Sequence, residues 1–377
     1  MDSESRLLTA WSLREPDRVP IEIQLAPAAH EFPQAERILE FIENEADNFF
    51  HLRPADWGFC GLKTSYHEEV IEDVPGDFRR IKRVHITAAG EFYAITKHNY
   101  NTLSPNDFYW ERRYIHTLEE MRRLAEAPRA SIPLDKETFD AEIHDIGNRG
   151  LYLVGLLHSL GYLVRNANLQ EVYGWFLTEP EIMHRFLERA NGQVAETIEA
   201  MGRAGIGPYF TVTAHEMLIP PWMGPRMFQE FVFPYDKMVN DTIHRIGGRL
   251  RIHCHGNCMA YLERFSEMGV DAIEPLERPP FGDVDLREAK RLVGDRMLLS
   301  GNIPSQSFLF MSREQVRQSV KEAISAAAAG GGFTLRPAAG SAGTNSVQDA
   351  EQMIKYLDNI EAYIEAGLEF GTYPISV

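Results

Sequence analysis

Residues 249–257 read Arg-Leu-Arg-Ile-His-Cys-His-Gly-Asn, with two histidines two positions apart in a run of alternating character. Side chains alternate across a strand, so Leu250, Ile252 and Cys254 share one face and Arg251, His253 and His255 the other. The apolar set suits a layer of helices. That turns both imidazoles inward at the strand's C-terminal end, where an α/β barrel builds its active site. Two neutral imidazoles so spaced can converge on one metal ion, although a bare H-x-H pair also fits core histidines bonded to neighbouring carbonyls. The next run, 269–277, ends in Glu274 and Glu277. Pro275 stops the ladder and biases Glu274 toward an extended conformation, which sets both carboxylates at the mouth. A glutamate completes a three-ligand set with open positions, the pattern of a catalytic metal. Glu277 is preferred to Glu274, and the alternative for either is a structural ion pair, for Glu277 with Arg251 or Arg278.

Three further strand ends carry candidates. In 209–216, Tyr-Phe-Thr-Val-Thr-Ala-His-Glu, the parity that groups Phe210, Val212 and Ala214 puts His215 with Thr211 and Thr213, facing the mouth. His215 is a candidate general acid or base, with an ordinary hydrogen-bonded histidine as the plain alternative. Asn302 can orient a carbonyl or amide, and Arg336 can fork a carboxylate. Glu22 and Gln24 have the inward parity of a first strand. Gly330, Gly331 and Gly332 precede a strand, so they fit a turn better than a phosphate cradle.

The elements that must position these groups alternate regularly beyond residue 150. Apolar runs at 151–157, 209–215, 250–255, 271–274, 297–302 and 332–336 predict strands. Amphipathic stretches at 179–201, 225–246, 286–293, 313–328 and 346–366 predict helices, the βα rhythm of a parallel sheet or barrel. Upstream, 19–25 predicts a first strand, 35–50 a helix, and 78–101 an antiparallel hairpin inserted beside the main sheet. No linker or repeat interrupts the chain, so 1–377 is expected to be one domain. A formal charge of −17, from 38 Lys and Arg against 55 Asp and Glu, argues against nucleic acid and anionic membranes as partners. No apolar run reaches bilayer length, and a cytoplasmic location is expected. Cys60, Cys254 and Cys258 are too few for a disulfide framework and are free thiols or ligands.

Several of these segments resemble the uroporphyrinogen decarboxylase superfamily: Arg-Val-Pro at 18–20, His253-Cys-His-Gly-Asn257, Met-Gly-Val-Asp-Ala at 268–272, Leu-Leu-Ser-Gly-Asn-Ile at 298–303 and Pro-Ala-Ala-Gly at 337–340. The resemblance implies a single (β/α)8 TIM-type barrel, here with an N-terminal extension and the hairpin insertion. It spans porphyrinogen decarboxylases and methylcobamide-dependent methyltransferases. The former share an arginine-rich Met-Arg-Gln-Ala-Gly-Arg segment after the first strand, whereas residues 22–29 here contain no arginine. With Glu22, Glu274 and Glu277 at the mouth, an eight-carboxylate tetrapyrrole is an electrostatic mismatch. The methyltransferases are similar at H-x-C-G-N, whose His and Cys bind zinc. Here His253 matches that His, His255 replaces the Cys, and Ala339 stands where a late Cys ligand is expected.

The expected function is therefore a metal-dependent methyltransferase acting on a small methylated substrate, with a corrinoid carried by a partner protein. One divalent metal, zinc first, would be held by His253, His255 and Glu277 or Glu274. His215 would move a proton, and Asn302 and Arg336 would position the substrate. The alternatives are a decarboxylase or lyase of a small carboxylated compound, and a non-catalytic binding protein on the same barrel.

Overall fold

The computed structural model describes residues 1–25, 29–30, 32–33, 35–100, 108–305, 307–338 and 350–377. Ala339, the first residues of the arginine-free segment after Leu25, and the start of the stretch expected to be helical at 346–366 lie outside them. The strands are β1 (Asn48–Leu52), β2 (Thr64–Val74), β3 (Phe78–Thr87), β4 (Gly90–Asn99), β5 (Phe108–Arg112), β6 (Gly150–Gly155), β7 (Tyr209–Val212), β8 (Arg249–Cys254), β9 (Ala272–Pro275), β10 (Leu298–Ile303) and β11 (Phe333–Pro337). Seven of them form a curled parallel sheet in the order β1-β6-β7-β8-β9-β10-β11. Chain order equals spatial order because each crossover carries helices that return the chain beside its own strand, the first, from β1 to β6, also carrying β2 to β5.

The segment 19–25 is extended but forms only one bridge, Ile21 to Leu335. Glu22 N donates to Leu335 O at 2.9 Å and Leu335 N to Pro20 O at 2.9 Å, while Asp47 N donates to Ile21 O at 2.7 Å. The segment thus touches both edges of the sheet. It does not continue as a ladder because Pro20 has no N–H, and because the amides of Ile21 and Ile23 are taken by the side chains of Asp47 and Asn48. The helix expected at 35–50 ends at Glu45, and its last residues become β1, which pairs in parallel with β6. The hairpin expected at 78–101 is β3 and β4, flanked by β2 and β5 in a four-stranded antiparallel sheet. The helix expected at 225–246 is two, Pro225–Phe231 and Phe233–Arg245. Pro234 lacks the N–H that a continuous helix needs and starts the second instead.

The two faces of the parallel sheet bury different sets. Leu250, Ile252, Cys254 and Ile273 join the large apolar cluster beneath the helices. On the inner face, Phe49, Leu151, Leu153, Ala272 and Leu298 pack against Leu7, Ala10 and Trp11 of the helix Ser3–Trp11. That helix, capped by Asp2 accepting from Ser5 N, plugs the interior at the strands' N-terminal end. The polar inner residues are left to the other end. Among the described residues, no helix is long and apolar enough to cross a membrane.

Candidate functional site

Above the apolar floor the inner face turns ionic. Glu22 and Arg251 are 2% and 1% exposed. Arg251 Nη2 and Arg336 Nη1 both donate to Glu22 Oε2, at 2.8 and 2.9 Å, and Thr334 Oγ1 donates to Oε1 at 2.5 Å. Arg336 Nε lies 2.5 Å from Glu274 Oε2, and the Arg251 guanidinium sits 4.0 Å from the Phe49 ring centre. Burial pushes the Glu22 and Glu274 carboxyls up. The charges of Arg251 and Arg336 outweigh it and hold both below the usual carboxylate range. Two of the three glutamates expected to make the mouth acidic are therefore neutralised by arginines of β8 and β11. Arg336, expected to fork a substrate carboxylate, already spans Glu22 and Glu274. Asn302, in register with Arg336, is buried beside it.

His253 and His255 lie on one side, their ring centres 4.4 Å apart and their planes at 82°. Cys254 is fully buried on the opposite face, as the alternation requires. Each imidazole has its own carboxylate: His253 Nδ1 is 2.9 Å from Glu274 Oε1, and His255 Nδ1 is 3.1 Å from Glu277 Oε1. Glu277 Oε2 accepts from Gly256 N at 2.7 Å. The bond to Glu277 raises the His255 pKa, with smaller help from Glu216 and Glu274, while Glu277 is lowered despite partial burial. With Nδ1 engaged on a carboxylate, Nε2 of each ring is the nitrogen free for a ligand, the arrangement of carboxylate–histidine–metal sites. Glu274 and Glu277 thus stand behind the histidines, and either must leave its histidine to ligate directly. The donor types are those of a nitrogen and oxygen metal site, but as placed the two histidines and either glutamate do not bring three ligand atoms within 4.8 Å of one another.

His215 lies elsewhere than its parity suggests. Strand β7 stops at Val212, Ala214 adopts a left-handed φ of 75°, and His215 enters a short 3-10 turn, His215–Leu218. The ring is carried to the helical side, 2% exposed, with burial lowering its pKa. There it meets Asp236 and His158, which sequence reasoning did not single out. Among the described residues these three form the one trio whose ligand atoms lie within 4.8 Å of one another and could hold a metal. His158 had a legible signal, standing just beyond the C-terminal end of β6; Asp236, inside a helix, had none.

A cavity of about 330 Å³ opens at the C-terminal ends of β1, β6 and β7, lined among others by His51, Arg53, Trp57, His158, Tyr162 and Arg165. Neither the Arg53 nor the Arg165 side chain has a partner among the described residues. A smaller recess of about 50 Å³, lined by Glu22, Gln24, His51 and Arg336, shares His51 with it. A larger surface groove, about 670 Å³, lies between helices Pro180–Ala204 and Phe233–Arg245 and touches none of the residues above.

Comparison with known proteins gives the same placement. A methyltransferase from Methanosarcina mazei superposes with a TM-score of 0.59 over 98% of this chain and 99% of its own, at 15% identity, a likeness of fold. Uroporphyrinogen decarboxylases of Microcystis aeruginosa and Psychromonas ingrahamii are 25% and 27% identical over 208 and 163 residues. Those alignments cover 52% and 42% of this chain and 55% and 42% of the relatives, so the chain spans about half the length of the relatives it matches. The family model for uroporphyrinogen decarboxylase (URO-D) matches residues 156–360, more than half of the chain and the stretch that carries β7 to β11 with the histidine pair, and the chain belongs to that family.

Proposed function

We propose that the chain is a metal-dependent methyltransferase of this family, acting on a small methylated substrate with a corrinoid protein as partner. It would be one cytoplasmic (β/α)8 domain in which segment 19–25 serves as the eighth stave. The observation that carries the reading is the pair of imidazoles whose Nδ1 atoms are each held by a separate glutamate. His253 and His255 would hold a divalent ion, zinc first, through Nε2. Glu277 would be the third ligand before Glu274, since Glu274 is committed to Arg336 as well as to His253. Such an ion supplies Lewis acidity to a bound heteroatom. Glu274 and Glu277 fix the tautomer and orientation of the rings. Arg336 and Arg251 keep Glu274 ionised for that task, and Arg336 with Asn302 shapes the wall against which a substrate lies. His215, buried on the helical side, is not assigned the proton transfer.

The 330 Å³ cavity, which neither His253 nor His255 lines, is at the lower end for ligand sites and would suit a small molecule rather than a tetrapyrrole. Its unpaired Arg53 and Arg165 favour an anionic substrate, which also supports a second reading, decarboxylation of a small carboxylate. The test is turnover of methylcobalamin with a panel of small methyl acceptors, run beside uroporphyrinogen and small carboxylic acids. Methyl transfer that falls by about 100-fold or more in His253→Ala and His255→Ala supports the proposal. Efficient porphyrinogen decarboxylation, or turnover indifferent to both substitutions, overturns it.

A further inference from the structure

We propose that His158, His215 and Asp236 form a second metal centre, separate from the mouth, that binds one borderline divalent ion such as zinc and ties the helical layer to the ends of β6 and β7. The three residues come from different elements. His158 is the N-cap of the helix Ser159–Asn166, His215 opens the turn after β7, and Asp236 lies in the helix Phe233–Arg245. His158 Nε2 is 2.8 and 2.9 Å from the two Asp236 oxygens, and His215 Nε2 is 3.6 Å from Oδ2. Four-coordinate zinc, with bonds near 2.0–2.1 Å, has ligand-to-ligand edges of about 3.3 Å, and the observed separations bracket that value. Residue types agree: two imidazoles and a carboxylate suit zinc and its first-row neighbours, not calcium or magnesium.

Two further observations point to a ligand. First, Nδ1 of His158 accepts from Leu160 N at 3.1 Å, which leaves Nε2 as the nitrogen facing Asp236. A metal at Nε2 would keep the cap bond intact. Second, Nδ1 of His215 is buried and has no hydrogen-bond partner among the described residues, although the ring is only 2% exposed. In either tautomer that ring is one partner short, an unusual state for a buried histidine. The adjoining cavity, between His158, His215, Asp236, Asn191, Val212 and Val239, measures about 20 Å³. That is room for one water and not for an organic substrate. An ion at Nε2 of His215 and a water at Nδ1 would satisfy both nitrogens of the ring. The centre is structural in this account. Its effect on the mouth is indirect, through His158, which also lines the 330 Å³ cavity.

The test is metal content and thermal stability of the full chain after expression with supplemented zinc, compared among wild type, Asp236→Asn, His215→Ala and the double variant His253→Ala/His255→Ala. The double variant should keep one zinc per chain that Asp236→Asn and His215→Ala each lose, and stripping that zinc should lower its melting temperature by several degrees. Should the Asp236 and His215 variants fail to fold, cobalt(II) titration of the stripped double variant decides. Uptake of one equivalent with the intense visible absorption of a four-coordinate site supports the centre. A double variant that takes up no metal, or Asp236→Asn and His215→Ala that keep the same zinc, overturns it. Failure of the mouth assignment reads differently: the wild type would then hold only the ion that Asp236→Asn removes.

Discussion

Glu22 receives two guanidinium bonds and a hydroxyl bond while almost wholly excluded from water, so its charge is indispensable to Arg251 and Arg336. Glu22→Gln should leave the buried Arg251 short of a counter-ion, and Arg336 with only Glu274, and destabilise the chain by about 3 kcal/mol, read from the urea midpoint. The pH dependence has a definite sign. Glu22 and Glu274 are held below their ordinary value, so their contribution is present above the unfolded carboxylate pKa of about 4.3 and is lost as pH falls through the lowered folded values. The stability gap between wild type and Glu22→Gln should therefore narrow on acidification below about pH 4. At this scale the alternation of 249–255 was enough to place His253 opposite Cys254. It could not show that Arg251 pairs with Glu22 rather than Glu277, because the partner lies 229 residues away in sequence and only the curl of the sheet brings it near. The mouth looked acidic for the same reason.

Among the elements, those with strong periodicity were legible almost to the residue: the helix Leu286–Val293 matches its expected bounds, and Arg313–Ala327 ends one residue early. The failures are places where a local device overrides the pattern. Asn48–Leu52 has two phenylalanines directly after an amphipathic helix and extends its apolar run, so nothing but pairing with β6 marks it as a strand. In β7 the alternation continues through His215, yet the strand stops three residues earlier at Val212 and the chain turns away at a left-handed Ala214. A Cβ in that region costs roughly 1–2 kcal/mol, part of which glycine returns through a more flexible unfolded chain. Ala214→Gly should accordingly raise stability by about 0.5–1 kcal/mol in thermal or urea unfolding. Ala214→Val should lower it and disturb the position of His215.

For the molecule as a whole, one end of the parallel sheet is plugged and the other is chemical. Helix Ser3–Trp11 fills the N-terminal end, and truncating its largest buried side chain, Trp11→Ala, should cost about 3–5 kcal/mol in unfolding free energy. Activity per folded molecule should be unchanged, since Trp11 packs with the floor residues and not with the histidines. At the chemical end stands the pair His253 and His255, each backed by a glutamate, and the account rests on a metal ion bound there. Metal content per chain, compared across wild type, His253→Ala, His255→Ala, Glu277→Gln, Glu274→Gln and Cys254→Ala prepared identically, tests it most directly. Each histidine substitution should remove one equivalent relative to wild type, Glu277→Gln should weaken that site more than Glu274→Gln, and Cys254→Ala should leave it intact. Metal content unchanged in both histidine variants, or lost only in Cys254→Ala, would contradict the account.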